Sequence, residues 1–179
     1  MVAVRPLIGQ KANPYLRLIS GPETVTISAC KGGKDANIYN AKKTFRKYIS
    51  PEFYEINLPQ PATDKIEVDV HQMYNKKADF KTLFGSLRRD LKSLAFESQE
   101  QIEKFAQENR QWLHADGSGN FFLFTEKINN NKKFFVAGVS LRSNRLKVML
   151  FHFSDDHKWW GSDEIHVVVP AIKTLVPQS

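Results

Sequence analysis

Residues 121–153 read FFLFTEKINNNKKFFVAGVSLRSNRLKVMLFHF, three β-rich runs separated by two short polar turns. Seven of the thirteen phenylalanines fall here, at Phe121, Phe122, Phe124, Phe134, Phe135, Phe151 and Phe153, which places the core in this stretch. Asn129–Asn130–Asn131 and Ser143–Asn144 lie between the runs, and Asn tolerates the positive φ that tight hairpins need. The pattern predicts an antiparallel meander. Phe122 and Phe124 alternate with Phe121 and Leu123, so both faces of the sheet are expected to be covered.

On the C-terminal side, Ile165–Val169 reads as a last strand stopped by Pro170. On the N-terminal side, Ser98 followed by Gln101 forms a capping-box pattern for a helix whose stripe is Ile102, Phe105, Ala106, Trp112 and Leu113. Asp79 caps an earlier helix carrying Phe80, Leu83, Phe84, Leu87, Leu91, Leu94 and Ala95. The short link between the two predicts an antiparallel helical hairpin. Lys65–His71 alternates as a strand, and Pro51, Pro59 and Pro61 mark an irregular connector before it. Ile38, Ala41, Phe45 and Tyr48 follow helical spacing, predicting a helix from Asp35 to about Ile49. Tyr15–Ile19 and Thr24–Ala29 flank Gly21–Pro22 and read as a small hairpin. The expectation is a single α+β domain over residues 15–175: a Phe-rich antiparallel sheet packed on a helical hairpin, with a small N-terminal α/β lobe. Residues 1–14 form a loose lead-in, interrupted by Pro6, Gly9 and Pro14.

Several markers recur together: Phe84–Gly85–Ser86–Leu87, Gln101, Phe105, Trp112–Leu113, Asp116–Gly117, Phe121–Phe122–Leu123–Phe124, Phe134–Phe135–Val136–Ala137, Phe153, Trp160 and Val167–Val168–Val169–Pro170. In this pattern the chain resembles a group of small, uncharacterised bacterial hypothetical proteins over residues of roughly 15–170. The markers are core and turn residues, so the resemblance implies a shared fold and carries over no activity, cofactor or site residue.

Charge is unevenly spread. The net charge is +7, and residues 1–92 hold 16 Lys/Arg against 9 Asp/Glu, whereas residues 93–179 hold 10 of each. Lys31, Lys34, Lys42, Lys43, Arg46 and Lys47 face only Asp35, and residues 127–147 carry six cations and no anion. Cys30 is the single cysteine, which excludes an intrachain disulfide and suits a reducing compartment. The N-terminus lacks the charged and apolar regions of a secretory signal. No apolar run reaches the ~20 residues that span a bilayer. A cytoplasmic protein without a membrane partner is expected.

No catalytic, metal or phosphate signature stands out, so no cofactor is expected and no residue is assigned a catalytic or metal-binding role. Four weaker constellations remain. His152, Asp155, Asp156 and His157, with His166 on the last strand, gather imidazoles and carboxylates but fit no metal spacing. Cys30 lies among cations that favour a thiolate, yet a lone cysteine at a strand end reads first as a small buried hydrophobe. Lys31–Gly32–Gly33–Lys34 could cradle an anion, although the two-glycine Walker spacing is missing. Trp159–Trp160 is either an interface anchor or a lid over the sheet.

The binding residues singled out are Lys42, Lys43, Arg46, Lys47, Trp159 and Trp160. The cations, projecting from the outer face of the expected helix, suit a phosphate backbone, and Tyr39 offers a stacking surface. Three functions are ordered from these features. A non-enzymatic binding protein with a macromolecular partner, a protein first, leads. A nucleic-acid-binding module using the basic N-terminal helix is the alternative. A metal-dependent hydrolase using the His152–His157 loop comes third.

Overall fold

The computed structural model describes residues 12–74, 76–116 and 119–171. The expected lead-in of residues 1–14 lies, up to residue 11, outside the described residues, as do residues 172–175 of the expected domain.

The meander forms as expected. It consists of β5 (Asn120–Ile128), β6 (Asn131–Arg142) and β7 (Arg145–His152). Ile128 pairs with Asn131 and Arg142 with Arg145, leaving two-residue turns. Asn129, Asn130, Ser143 and Asn144 all have positive φ, between 49° and 64°, the geometry whose twist matches flanking strands. Five shorter or more distant strands extend the sheet: β1 (Leu16–Leu18), β2 (Val25–Ile27), β3 (Tyr48–Ile49), β4 (Ile66–Met73) and β8 (His166–Pro170). The order is β1-β4-β8-β5-β6-β7-β3, with β2 also on β4. β8 runs parallel to β5 and antiparallel to β4. Its Val167, Val168 and Val169 are fully buried, as a near-continuous apolar strand at the centre of a covered sheet requires.

Two apolar layers sandwich the sheet. On one face α2 (Gln99–Glu108) and the 3₁₀ turns Ile38–Asn40 and Pro51–Ile56 pack with Ile102, Phe105, Phe122, Phe124, Val139 and Val148. On the other, α1 (Phe80–Leu87) packs with Leu83, Phe84, Phe121, Leu123 and Val136. The expected caps are present. The Asp79 side chain accepts from the Thr82 N–H at 2.9 Å, and Ser98 and Gln101 complete the capping box of α2.

Three expectations are corrected. The helices α1 and α2 lie on opposite faces and form no hairpin. β8 covers only Asn120–Phe122 of β5, so backbone groups further along β5 need partners. The link between the helices supplies them: Phe96 N–H donates to Leu123 O at 2.8 Å, and Thr125 N–H to Phe96 O at 3.2 Å. The chain thus passes through the sheet, with Ala95 in one layer and Phe96 in the other.

The N-terminal strands belong to this sheet and not to a lobe of their own. β1 and β2 sit end to end along β4 without pairing each other, and Ser20 Oγ accepts from Val70 N–H at 2.9 Å between them.

The segment from Asp35 to Ile49 is not an α-helix. Asn37, not Asp35, caps a single 3₁₀ turn over Ile38–Asn40, and the backbone departs from helix at Ala41. From Lys47 the chain is extended, because the outer edge of β7 offers open ladder groups. Lys47 N–H donates to Leu146 O and Ser50 N–H to Val148 O, both at 2.9 Å, framing the parallel pairing of β3 with β7. Ile38, Ala41 and Phe45 are buried as their spacing implied, whereas Tyr48 is 44% exposed. Among the described residues no helix is long and apolar enough to cross a membrane.

Candidate nucleic-acid interface

The β3–β7 pairing has an electrostatic consequence. It lays the basic segment 42–47 beside the basic β6–β7 hairpin, about a hundred residues later in the chain. Lys42, Lys43, Arg46 and Lys47 are all exposed. Lys42 Nζ stands 5.6 Å from the centroid of Tyr39. Arg142 and Arg145 are exposed at the hairpin tip, and Lys147 is half-buried beside it.

Two concavities lie between these elements. The larger, about 440 Å³, includes Lys43, Arg46, Arg110, Asn144 and Arg145 in its wall. The smaller, about 60 Å³, is formed by Lys47, Ser140, Arg142 and Lys147. Among the described residues no acidic side chain lines either one. Glu103 approaches the larger cleft by accepting from Thr44 Oγ1 at 2.6 Å and from Gln107 Nε2 at 3.1 Å. Arg110 donates through Nη2 to Asn144 O, while its buried Nε has no acceptor. Among the described residues the ion pairs are His114–Glu164 and Lys158–Asp79, neither of which involves this region. The arrangement therefore offers a cluster of cations with no ion-pair partner among the described residues, a field that attracts an anion.

Of the four cations that the sequence singles out, Lys43, Arg46 and Lys47 line the clefts and Lys42 does not, whereas Arg110, Arg142, Arg145 and Lys147 were not singled out. The acid-free run 127–147 was the available signal for Arg142, Arg145 and Lys147, and Arg110, outside it, had none. What the run lacked was the non-local pairing that joins it to the first basic segment.

The tryptophans separate in role. Trp159 is half-buried, with its ring 4.8 Å from Phe121 and 5.9 Å from Phe80, and pairs by backbone with Ala78. It closes the α1 layer as a lid. Trp160 is 54% exposed, and Lys77 Nζ lies 4.5 Å from its ring centroid.

The remaining constellations gain little. His157 N–H donates to Asp155 Oδ1 at 3.0 Å, and the His157 ring lies 4.5 Å from Trp159. His166 is elsewhere, with Nδ1 2.8 Å from Trp112 O and its ring 5.3 Å from His114. Burial holds His166 below its ordinary pKa. Among the described residues no group of three or more His, Cys, Asp or Glu has the geometry to hold a metal ion. Cys30 is buried, with Sγ 3.7 Å from Ser28 O, and burial pushes its thiol up, the opposite of an activated nucleophile. The glycine turn has its donors occupied: Gly32 N–H donates to Glu100 Oε2 at 2.8 Å and Gly33 N–H to Gln60 O at 2.9 Å. Gly32 has φ +68°, and a Cβ there would meet the backbone of residues 60–62 at 2.6 Å. This glycine therefore serves a close backbone approach rather than an anion.

Comparison of the chain with protein-family models, with curated proteins and with solved structures finds no match.

Proposed function

We propose that this chain is a non-enzymatic nucleic-acid-binding protein that holds the phosphate backbone on the edge of its sheet. The observation that carries the reading is the convergence of Lys43, Arg46, Lys47, Arg110, Arg142, Arg145 and Lys147 around two clefts lined, among the described residues, by no carboxylate. Each phosphate neutralised there releases condensed counterions, and that release drives binding without reference to sequence.

The test is fluorescence anisotropy with labelled oligonucleotides across a salt series, comparing wild type with a Lys43→Gln, Arg46→Gln, Arg142→Gln, Arg145→Gln variant. The variant should bind every sequence more weakly. Its slope of log K against log salt should be shallower by about 0.7–0.9 for each phosphate that it no longer neutralises. Absence of wild-type binding at low salt, where electrostatic attraction is strongest, sinks the reading.

Recognition of a protein partner is the second reading, favoured by the exposed Trp160 ring under Lys77. Binding of such a partner would be lost in Trp160→Ala and spared in the four-charge variant.

A further inference from the structure

We infer that the partner strand is single-stranded, with an unpaired base stacking on Tyr48; this rests on the nucleic-acid reading above. The argument begins with the register of the sheet edge. Leu146 and Val148 are buried in the α2 layer, so Lys147 between them points to the opposite face. Tyr48 pairs with Lys147 and Ile49 with Val148. Ile49 packs on the α2 layer, which turns Tyr48 to the same face as Lys147. Ser140 of β6 pairs with Lys147 and continues the row.

On that face the α1 layer covers Phe121, Leu123 and Val136 but stops short of this edge. Tyr48 is exposed there, and Lys147 and Ser140 are half-buried. The result is an open strip of sheet with an aromatic ring at its rim and Lys47, Arg142 and Lys147 gathered at the adjoining notch.

Among the described residues the large apolar side chains that are exposed are Leu18, Tyr48, Tyr54 and Trp160. Of these, Tyr48 is the one set within the basic patch. Tyr54 stands between Glu52 and Glu55 in sequence, a poor neighbourhood for phosphate. Trp160 lies beside Asp163, whose carboxylate accepts from its N–H at 3.0 Å.

A duplex hides its base faces inside the stack and presents phosphates, which the cations alone would hold. A single strand presents both, and aromatic platforms beside cationic grooves bind it with little regard to sequence. Charge complementarity thus selects an anionic chain, and the exposed ring selects one whose bases are unstacked.

Anisotropy measurements on single-stranded DNA and RNA and on a hairpin duplex of equal phosphate count separate the possibilities. Wild type, Tyr48→Leu, Tyr48→Phe and the four-charge variant are compared, with urea unfolding curves to show that each is folded. Tyr48→Leu should weaken single-strand binding about tenfold, roughly the value of one stacked base. It should leave duplex binding and the salt slope unmoved, and Tyr48→Phe, which keeps the ring, should restore single-strand binding. Equal losses on single strand and duplex overturn the stacking inference, as does full single-strand binding by Tyr48→Leu. If the four-charge variant still weakens both forms in those cases, the nucleic-acid reading survives alone. No binding of either form by wild type at low salt overturns both.

Discussion

Replacing Gln99 by leucine tests how the basic edge is held to the body of the protein. Gln99 opens α2 and has no exposed surface. Its amide uses both donors and accepts once. Nε2 donates to Ile56 O at 3.0 Å and to Glu126 Oε1 at 2.7 Å, and Oε1 accepts from Ile38 N–H at 2.9 Å. One side chain thus ties the turn at Ile38–Asn40, the turn at Pro51–Ile56 and strand β5 together. Leucine nearly preserves the volume, so the loss is one of hydrogen bonds and not of packing. Ile56 O keeps its bond from Leu58 N–H at 2.8 Å, so three bonds at about 1 kcal/mol each, with the buried Ile38 N–H left unpaired, put the loss at about 3–4 kcal/mol. Urea unfolding measures it directly. At about 2–4 °C per kcal/mol for a chain of this size, the melting temperature should drop by roughly 10 °C. Hydrogen exchange supplies the local readout, because the Ile38 amide loses its acceptor and should exchange faster. A loss under about 1 kcal/mol, within reach of an ordinary surface change, together with an unchanged Ile38 amide, would refute the hub.

Two carboxylates give opposite pH effects. Burial pushes the Glu126 carboxyl above its ordinary value of 4.5, against the opposing pull of the Gln99 and Gln60 amides. The folded protein therefore binds this proton more tightly than the unfolded chain, and the contribution of Glu126 to stability rises as pH falls toward 4.5. Burial lowers the His71 and His166 pKa values, which acts in the other direction, so the difference in urea midpoint between wild type and Glu126→Gln, followed from pH 8 to pH 5, isolates the effect. A pH-independent difference would contradict it. Asp79 is shifted the other way: the Lys158 ammonium holds its carboxyl down from 3.8 to about 2. Its contribution is complete above 3.8 and lost as pH falls through about 2. Lys158 is 45% exposed, so the pair is worth under about 1 kcal/mol. Asp79→Asn keeps the cap and should flatten the acid limb of the stability curve, whereas Asp79→Ala should cost about 1 kcal/mol more through loss of the cap.

Local chemistry was legible in the sequence where backbone and side chain demanded the same thing. Asn129–Asn130 and Ser143–Asn144 tolerate the positive φ that two-residue hairpins need, and Asp79 and Ser98 cap the helices they precede. The 3.6-residue spacing of Ile38, Ala41 and Phe45 was also informative, but about burial and not about backbone. All three are buried, in a 3₁₀ turn and loop, because pairing Tyr48–Ile49 with β7 satisfies an open edge that a helix could not. The apolar stripe that reads as one helix to Ala95 misled for a similar reason: α1 stops at Leu87, Leu91–Leu94 form a 3₁₀ turn, and Phe96 is needed by β5. Nothing local announces that β8 inserts between β4 and β5.

The candidate interface was half legible for the same physical reason. Each basic stretch alone reads as a solvated surface, and only a register links them. A one-residue slip of β3 would turn Tyr48 into the core and Ile49 outward, since side chains alternate between faces. With the observed register, cations from segments a hundred residues apart share one edge without interspersed carboxylates. Crowding like charges opposes folding, so removing them relieves repulsion in the native state. The four-charge variant is therefore expected to unfold at a urea midpoint no lower than wild type, and a lower midpoint would refute the repulsion argument.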